Sequence, residues 1–157
     1  MKITTANKAK FITQKLIKEG KILVLAGGCF DLLHEGHKSF LKKAKEEGDI
    51  LIVMLESDIA IKIQKGKNRP VEQQSLRAQK LAKLPYVDFV VLLEGILTDE
   101  DYDSLVTSLK PAIIATTKGD PYRYHKDRQA AEIGAKVKEV INRIEEFSTT
   151  RCIKLYE

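Results

Sequence analysis

Short apolar runs separated by amphipathic stretches set the rhythm of this chain. The runs are Ile22 to Ala26, Ile50 to Leu55, Phe89 to Leu93, Ala112 to Ala115 and Ala135 to Ile141. Most are rich in β-branched residues and too short for helices, which predicts parallel strands buried on both faces. Between them, Lys38 to Glu47, Glu72 to Lys83, Asp99 to Leu109 and Tyr124 to Ile133 carry helical patterns. Ahead of the first run, Asn7 to Lys18 places Ala9, Phe11, Ile12 and Leu16 at roughly helical spacing and stops at Gly20. Strands alternating with helices predict an α/β fold, a doubly wound parallel sheet with helices on both faces. Ligands of such sheets bind at the carboxyl ends of the strands, near a topological switch point.

The 157 residues suit one domain, with an N-terminal helix over about 6–19 and a core over about 21–157. Hydrophobic residues are 43% of the chain, charged residues 31%, and no repeat or low-complexity tract is visible. No run approaches the roughly 18 apolar residues that a membrane helix needs. The start of the chain carries no apolar leader, so a cytoplasmic protein without a membrane partner is expected. The net charge of +5 comes from dispersed lysines, with no Trp and no aromatic-interleaved basic patch, so no nucleic-acid partner is expected. Cys29 and Cys152 stand outside any C-x-x-C spacing and read as free thiols, Cys29 as a small packing residue.

The candidate chemistry lies where the first of these runs meets the next helix, in Gly27-Gly28-Cys29-Phe30-Asp31-Leu32-Leu33-His34-Glu35-Gly36-His37. In an α/β unit this loop opens into a helix N-terminus, whose unpaired N–H groups and positive dipole end favour an anion. Gly27 and Gly28 are expected to supply the tight turn, and Gly36 to keep bulk from between the histidines. His34 and His37, three apart, share a face once the helix begins. Phosphoryl transfer needs positioned donors and cations more than covalent help. Lys65, Lys67 and Arg69, set between Gly66 and Pro70, form a basic loop after a strand, suited to closing over phosphate groups or else a solvated turn.

Other readings of these residues differ in what they require. A zinc-protease helix needs histidines four apart with Glu directly after the first, and no third metal ligand is evident here. Incidental histidines at a helix cap are the other bland reading. A dinucleotide oxidoreductase needs G-x-G-x-x-G, which this loop lacks. Ser148-Thr149-Thr150 has the residues of a helix N-cap, whose hydroxyls either cap only or also donate to phosphate.

Gly28-Cys29-Phe30-Asp31-Leu32-Leu33-His34-Glu35-Gly36-His37 resembles the G-x-F-D-x-x-H-x-G-H motif of the cytidylyltransferase-like nucleotidyltransferases. The likeness extends through Gly48-Asp49, Ser57-Asp58, the Lys65 to Val71 loop, Arg77 and Tyr86-Val87-Asp88. It ends at Arg143-Ile144-Glu145-Glu146-Phe147-Ser148-Thr149-Thr150, similar to an R-x-x-x-[I/F/Y]-S-T-T segment. Within the family the chain most resembles the adenylyltransferase domain that makes ADP-heptose, whose motif also reads GCFDLLH and whose loop also reads KG…RPV. It is similar too to glycerol-3-phosphate cytidylyltransferase, which typically has Thr in place of Cys29. It departs from both at Thr116-Thr117-Lys118-Gly119-Asp120-Pro121, where K-G-G-D or M-G-D-D is usual, so the turn and one acid remain.

The resemblance implies a Rossmann-like domain that transfers AMP or CMP from ATP or CTP to a small phosphorylated acceptor and releases pyrophosphate, with Mg²⁺ carried by the nucleotide. Adenylyl transfer is the favoured form. The favoured acceptor is a sugar phosphate such as D-glycero-β-D-manno-heptose 1-phosphate, with glycerol 3-phosphate and FMN as alternatives. A nucleotide-binding protein without turnover is the alternative of another class. The implied catalytic residues are His34, His37, Lys65 and Arg143. Gly28, Cys29, Phe30, His34, His37, Arg143, Ser148 and Thr149 are implied to meet the nucleotide, and Asp31, Lys65, Lys67, Arg69, Arg77 and Asp120 the acceptor. No resident metal site is expected, and a homodimer fits related enzymes.

Overall fold

Six strands, all parallel, lie in one sheet of order β1-β4-β3-β2-β5-β6 in the computed structural model, which describes residues 2–142. In chain order the elements are β1 (Ile3–Thr5), α1 (Ala6–Lys18), β2 (Leu23–Gly28), α2 (Glu35–Glu46), β3 (Ile50–Leu55) and α3 (Asp58–Lys65). They continue as α4 (Gln74–Ala82), β4 (Phe89–Leu92), α5 (Asp99–Leu109), β5 (Ile113–Lys118), α6 (Arg123–Ile133) and β6 (Lys136–Asn142). The expected doubly wound α/β architecture is the one observed.

Side chains alternate across the sheet, so each central strand supplies two cores. Val24, Ala26, Leu51, Val53 and Val90 face Leu41 and Ala44 of α2 and Ala78 and Leu81 of α4. Leu23, Leu25, Ile52 and Val91 face Ala9 of α1, Val106 and Leu109 of α5 and Ala130 of α6. Asp88 ties the sheet at its lower end, its carboxylate accepting from the Leu51 amide at 2.7 Å and from Lys45 Nζ at 2.6 Å.

Two elements depart from expectation. Residues 3–5 pair with β4 as an added edge strand, too short to carry a pattern. Residues 58–65 form a helix although Ile59, Ile61 and Ile63 alternate in the manner of a strand. Ser57 decides it by capping the Ala60 amide at 3.1 Å. A third difference concerns Gly27 and Gly28. Both belong to β2, paired with Met54 and Leu55, so they do not make the turn.

The sheet opens where a ligand site is expected. β2 pairs with β3 along its whole length, from Leu23↔Ile50 to Gly28↔Leu55. With β5 it pairs only at Val24↔Ile113 and Leu25↔Ile114. The chain runs from β2 through β3 to β4 and then returns to β5 on the other side of β2. The carboxyl ends of β2 and β5 therefore part at the topological switch point.

Candidate active site

The turn after β2 is made by residues other than glycine. Phe30 and Leu32 hold φ of 46° and 52°, in the left-handed region that side chains disfavour. Gly28 is needed for space instead: a Cβ there would meet the Phe30 ring at 3.2 Å. That ring is buried and lies edge-on to His37, centroids 5.3 Å apart.

α2 begins at Glu35, three residues earlier than the amphipathic pattern, because His34 caps it. The His37 amide donates to His34 Nδ1 at 3.3 Å, and the His34 amide donates back to His37 Nδ1 at 3.4 Å. The two rings stack with centroids 3.7 Å apart and planes 16° apart. An amide N–H gives only a proton, so each Nδ1 presents its lone pair and each ring proton resides on Nε2. Burial, then the neighbouring His34 and Lys65, pulls His37 down to about 3. Burial lowers His34 as well. At neutral pH the pair is thus two uncharged N–H donors at a helix N-terminus.

Asp31 is buried, 1% exposed, and faces inward. It accepts from Arg69 Nε at 3.0 Å and from the amides of Val71 at 2.8 Å and Glu72 at 3.0 Å. Burial alone raises such a group, but these donors outweigh it and hold the carboxyl below its ordinary range. Asp31 therefore fastens the basic loop to the histidine loop. Arg69, 9% exposed, is drawn into the same joint, its Nη2 buried without a hydrogen-bond partner among the described residues. Lys65 ends α3 and Lys67 follows the Gly66 cap, both exposed and neither in an ion pair among the described residues.

Arg77 also departs from expectation. Its side chain is fully buried, and it donates to the carbonyls of Glu72 (2.9 Å), Cys29 (2.7 Å) and Glu56 (3.0 Å) and to Asp58 Oδ1 (2.7 Å). A guanidinium so occupied cannot also grip an acceptor; it holds the strand-end loops together. Asp120 is similarly engaged, accepting from Thr116 Oγ1 at 2.8 Å, the Tyr122 amide at 2.9 Å and Lys126 Nζ, which closes the β5–α6 turn. Arg143, Ser148 and Thr149, with Cys152, lie outside the described residues.

Between α3, α5 and α6, over the parted ends of β2 and β5, is a cavity of about 670 Å³. Gly28, Cys29 and Lys65 of the expected set line it, and burial pushes the Cys29 thiol up, keeping it protonated. His34 and His37 stand beside Cys29 at the head of α2 instead of lining it. Among the wall residues that sequence reading missed are Glu56 and Tyr102. The signal for Glu56 was its place one residue beyond β3, at a strand's carboxyl end. Tyr102 gives none, being one aromatic on a helix. Among the described residues no group of three or more His, Cys, Asp or Glu side chains is disposed to hold a metal ion, and no helix is long and apolar enough to cross a membrane.

Comparison with known proteins agrees with this geometry. The family model described as cytidylyltransferase-like matches residues 25–154. Bifunctional protein HldE of Nitratiruptor sp. is 41% identical over 145 residues, 92% of this chain and 30% of that protein. Bifunctional protein HldE of Campylobacter fetus is 44% identical over 137 residues, 87% of this chain and 28% of that protein. The chain thus spans under a third of the length of these curated relatives. Among solved structures, a lipopolysaccharide core biosynthesis protein from Thermoplasma volcanium is 28% identical with a TM-score of 0.63, covering 82% of this chain and 100% of that one. Pantoate-beta-alanine ligase from Francisella tularensis, 19% identical with a TM-score of 0.63, covers 92% of this chain and 68% of that one and shares the fold.

Proposed function

The chain belongs to the cytidylyltransferase-like family, and on that premise we propose that it is a nucleotidyltransferase acting on a sugar phosphate, with ATP the favoured nucleotide. The observation that carries this reading is the reciprocal cap of His34 and His37 at the head of α2, with both Nδ1 atoms accepting amides. Two fixed Nε2–H donors beside a helix N-terminus suit the oxygens of a triphosphate.

In the reaction proposed, an oxygen of the acceptor phosphate attacks the α-phosphorus of MgATP. The bond from that phosphorus to the bridging oxygen breaks, and pyrophosphate leaves with the electron pair, so one anhydride replaces another. The acceptor phosphate is already ionised at neutral pH and needs no strong base. Mg²⁺ enters with the triphosphate, as is usual for a cation that keeps its waters and binds through phosphates. His34 and His37 donate to oxygens on which charge builds up. Lys65 lines the cavity and orients the acceptor phosphate. Arg143, Ser148 and Thr149 complete the triphosphate contacts by resemblance. The likeness to the ADP-heptose adenylyltransferase domain and to a lipopolysaccharide core biosynthesis protein favours a sugar 1-phosphate over glycerol 3-phosphate or FMN.

The test is pyrophosphate release with Mg²⁺ and ATP or CTP, each against D-glycero-β-D-manno-heptose 1-phosphate, glycerol 3-phosphate and FMN. Release with one pair, lost in His37→Ala, is the expected result. Nucleotide binding with no release from any pair would instead favour a binding protein without turnover.

A further inference from the structure

Glu56 is a carboxylate at a cavity wall with no ion-pair partner among the described residues. Its backbone is fixed on both sides: the amide donates to the Gly28 carbonyl at 3.1 Å, and the carbonyl accepts from Arg77 Nη2 at 3.0 Å and Gln74 Nε2 at 3.4 Å. Arg77 is engaged with main-chain carbonyls and with Asp58 Oδ1. Among the described residues the Glu56 side chain accepts a hydrogen bond from one group, the Tyr102 hydroxyl, which lies 2.8 Å from Oε1 and 2.7 Å from Oε2 and donates its single proton between them. One donor leaves most of a carboxylate's lone pairs open, and the residue lines the cavity. Burial, followed by the bond to Glu56, raises Tyr102, so the phenol remains a donor. Burial also raises Glu56.

We propose that Glu56, held by Tyr102, is a specificity-determining residue of the acceptor subsite, its carboxylate accepting hydrogen bonds from adjacent hydroxyls of the acceptor's sugar. The inference rests on the transferase reading above and deepens it. Sugar hydroxyls are donors that a carboxylate can take in pairs, and a half-buried carboxylate discriminates against a ligand that lacks them. Across the cavity the cations differ in availability. Lys126 pairs with Asp120 and Arg128 with Asp103, whereas Lys65 has no ion pair among the described residues. A ligand with hydroxyls at one end and a phosphate at the other therefore fits with the hydroxyls on Glu56 and the phosphate toward Lys65 and the histidines.

The ribose of the nucleotide carries the same diol chemistry. MgATP binding by the variants separates a ribose contact from an acceptor contact.

The experiment compares wild type, Glu56→Gln and Tyr102→Phe in steady-state pyrophosphate release with heptose 1-phosphate, alongside calorimetric binding of MgATP. Both variants are first shown to unfold at the wild-type temperature, and Tyr102→Phe carries the test if Glu56→Gln does not fold. The expected result is a KM for heptose 1-phosphate raised about 10- to 100-fold in Glu56→Gln and less in Tyr102→Phe, with kcat and MgATP affinity little changed. An unchanged KM in both variants overturns the role of Glu56 and leaves the transferase standing. Weakened MgATP binding with an unchanged acceptor KM overturns it in favour of a ribose contact. A wild-type protein that releases no pyrophosphate with any acceptor removes the transferase reading and this subsite with it.

Discussion

Arg77 on α4 donates a 2.7 Å hydrogen bond to the carbonyl of Cys29, 48 residues away in the histidine loop. The same guanidinium reaches Glu72, Glu56 and Asp58, so one buried cation joins three loops at the carboxyl end of the sheet. Removing it leaves buried carbonyls without donors. Arg77→Ala is expected to lower stability by about 3 kcal/mol, read as a shift in the urea midpoint. Arg77→Lys should recover less than half, because an ammonium lacks the planar fork that spans these acceptors. Equal stability in Lys and Ala variants supports the geometry; full recovery by Lys contradicts it.

His37 takes part in the reciprocal cap of α2 and is proposed to donate to the substrate, and the two roles separate in measurement. His37→Ala is expected to cost about 1 kcal/mol of stability through the lost cap. Turnover should fall by about 10²–10³, the usual effect of deleting one transition-state donor. Pyrophosphate release and a thermal melt on one preparation give both numbers. Near wild-type turnover would take His37 out of the mechanism.

Acid should destabilise the protein through the same residue. In the unfolded chain His37 takes a proton below about 6.5, while in the fold burial holds it to about 3. The unfolded state binds more protons throughout that window, so stability falls as pH drops through it and is unaffected above it. The loss at pH 5 from His37 is about 2 kcal/mol. Asp31, held below its usual 3.8, stabilises the fold at higher pH and loses that contribution only as pH falls further. Urea midpoints at pH 7 and pH 5 check this, and His37→Asn should flatten the difference.

Gly48 closes the turn from α2 into β3 under a steric limit. A Cβ there would stand 2.7 Å from Val24 Cγ2 and 2.8 Å from the Ile22 carbonyl oxygen. Gly48→Ala is expected to destabilise by about 2 kcal/mol, since backbone must shift to admit it. At Gly27 the nearest contact would be Met54 Cε at 3.5 Å, ordinary packing, so Gly27→Ala should change stability by less than about 0.5 kcal/mol. Denaturant melts of the two variants side by side decide it.

The alternation of apolar runs and amphipathic stretches by itself determined the α/β class and nearly every central element, since burial on both faces forces apolar strands and one-sided helices. The order of residues in the 27–37 loop also carried the family resemblance, with imidazoles three apart at a helix head suited to an anion. It did not determine where that helix starts. The reciprocal cap that moves the start to Glu35 depends on ring positions, and with it the tautomer and the neutrality of both histidines. The charged residues were least legible. Asp31, Arg69, Arg77 and Asp120 read as acceptor contacts, yet the fold engages them with one another, with neighbouring side chains and with the backbone, because a buried charge must find a partner and most of those partners are distant in sequence. Glu56 was passed over for the converse reason: only the tertiary structure brings Tyr102 of α5 against it and sets the residue in a cavity wall.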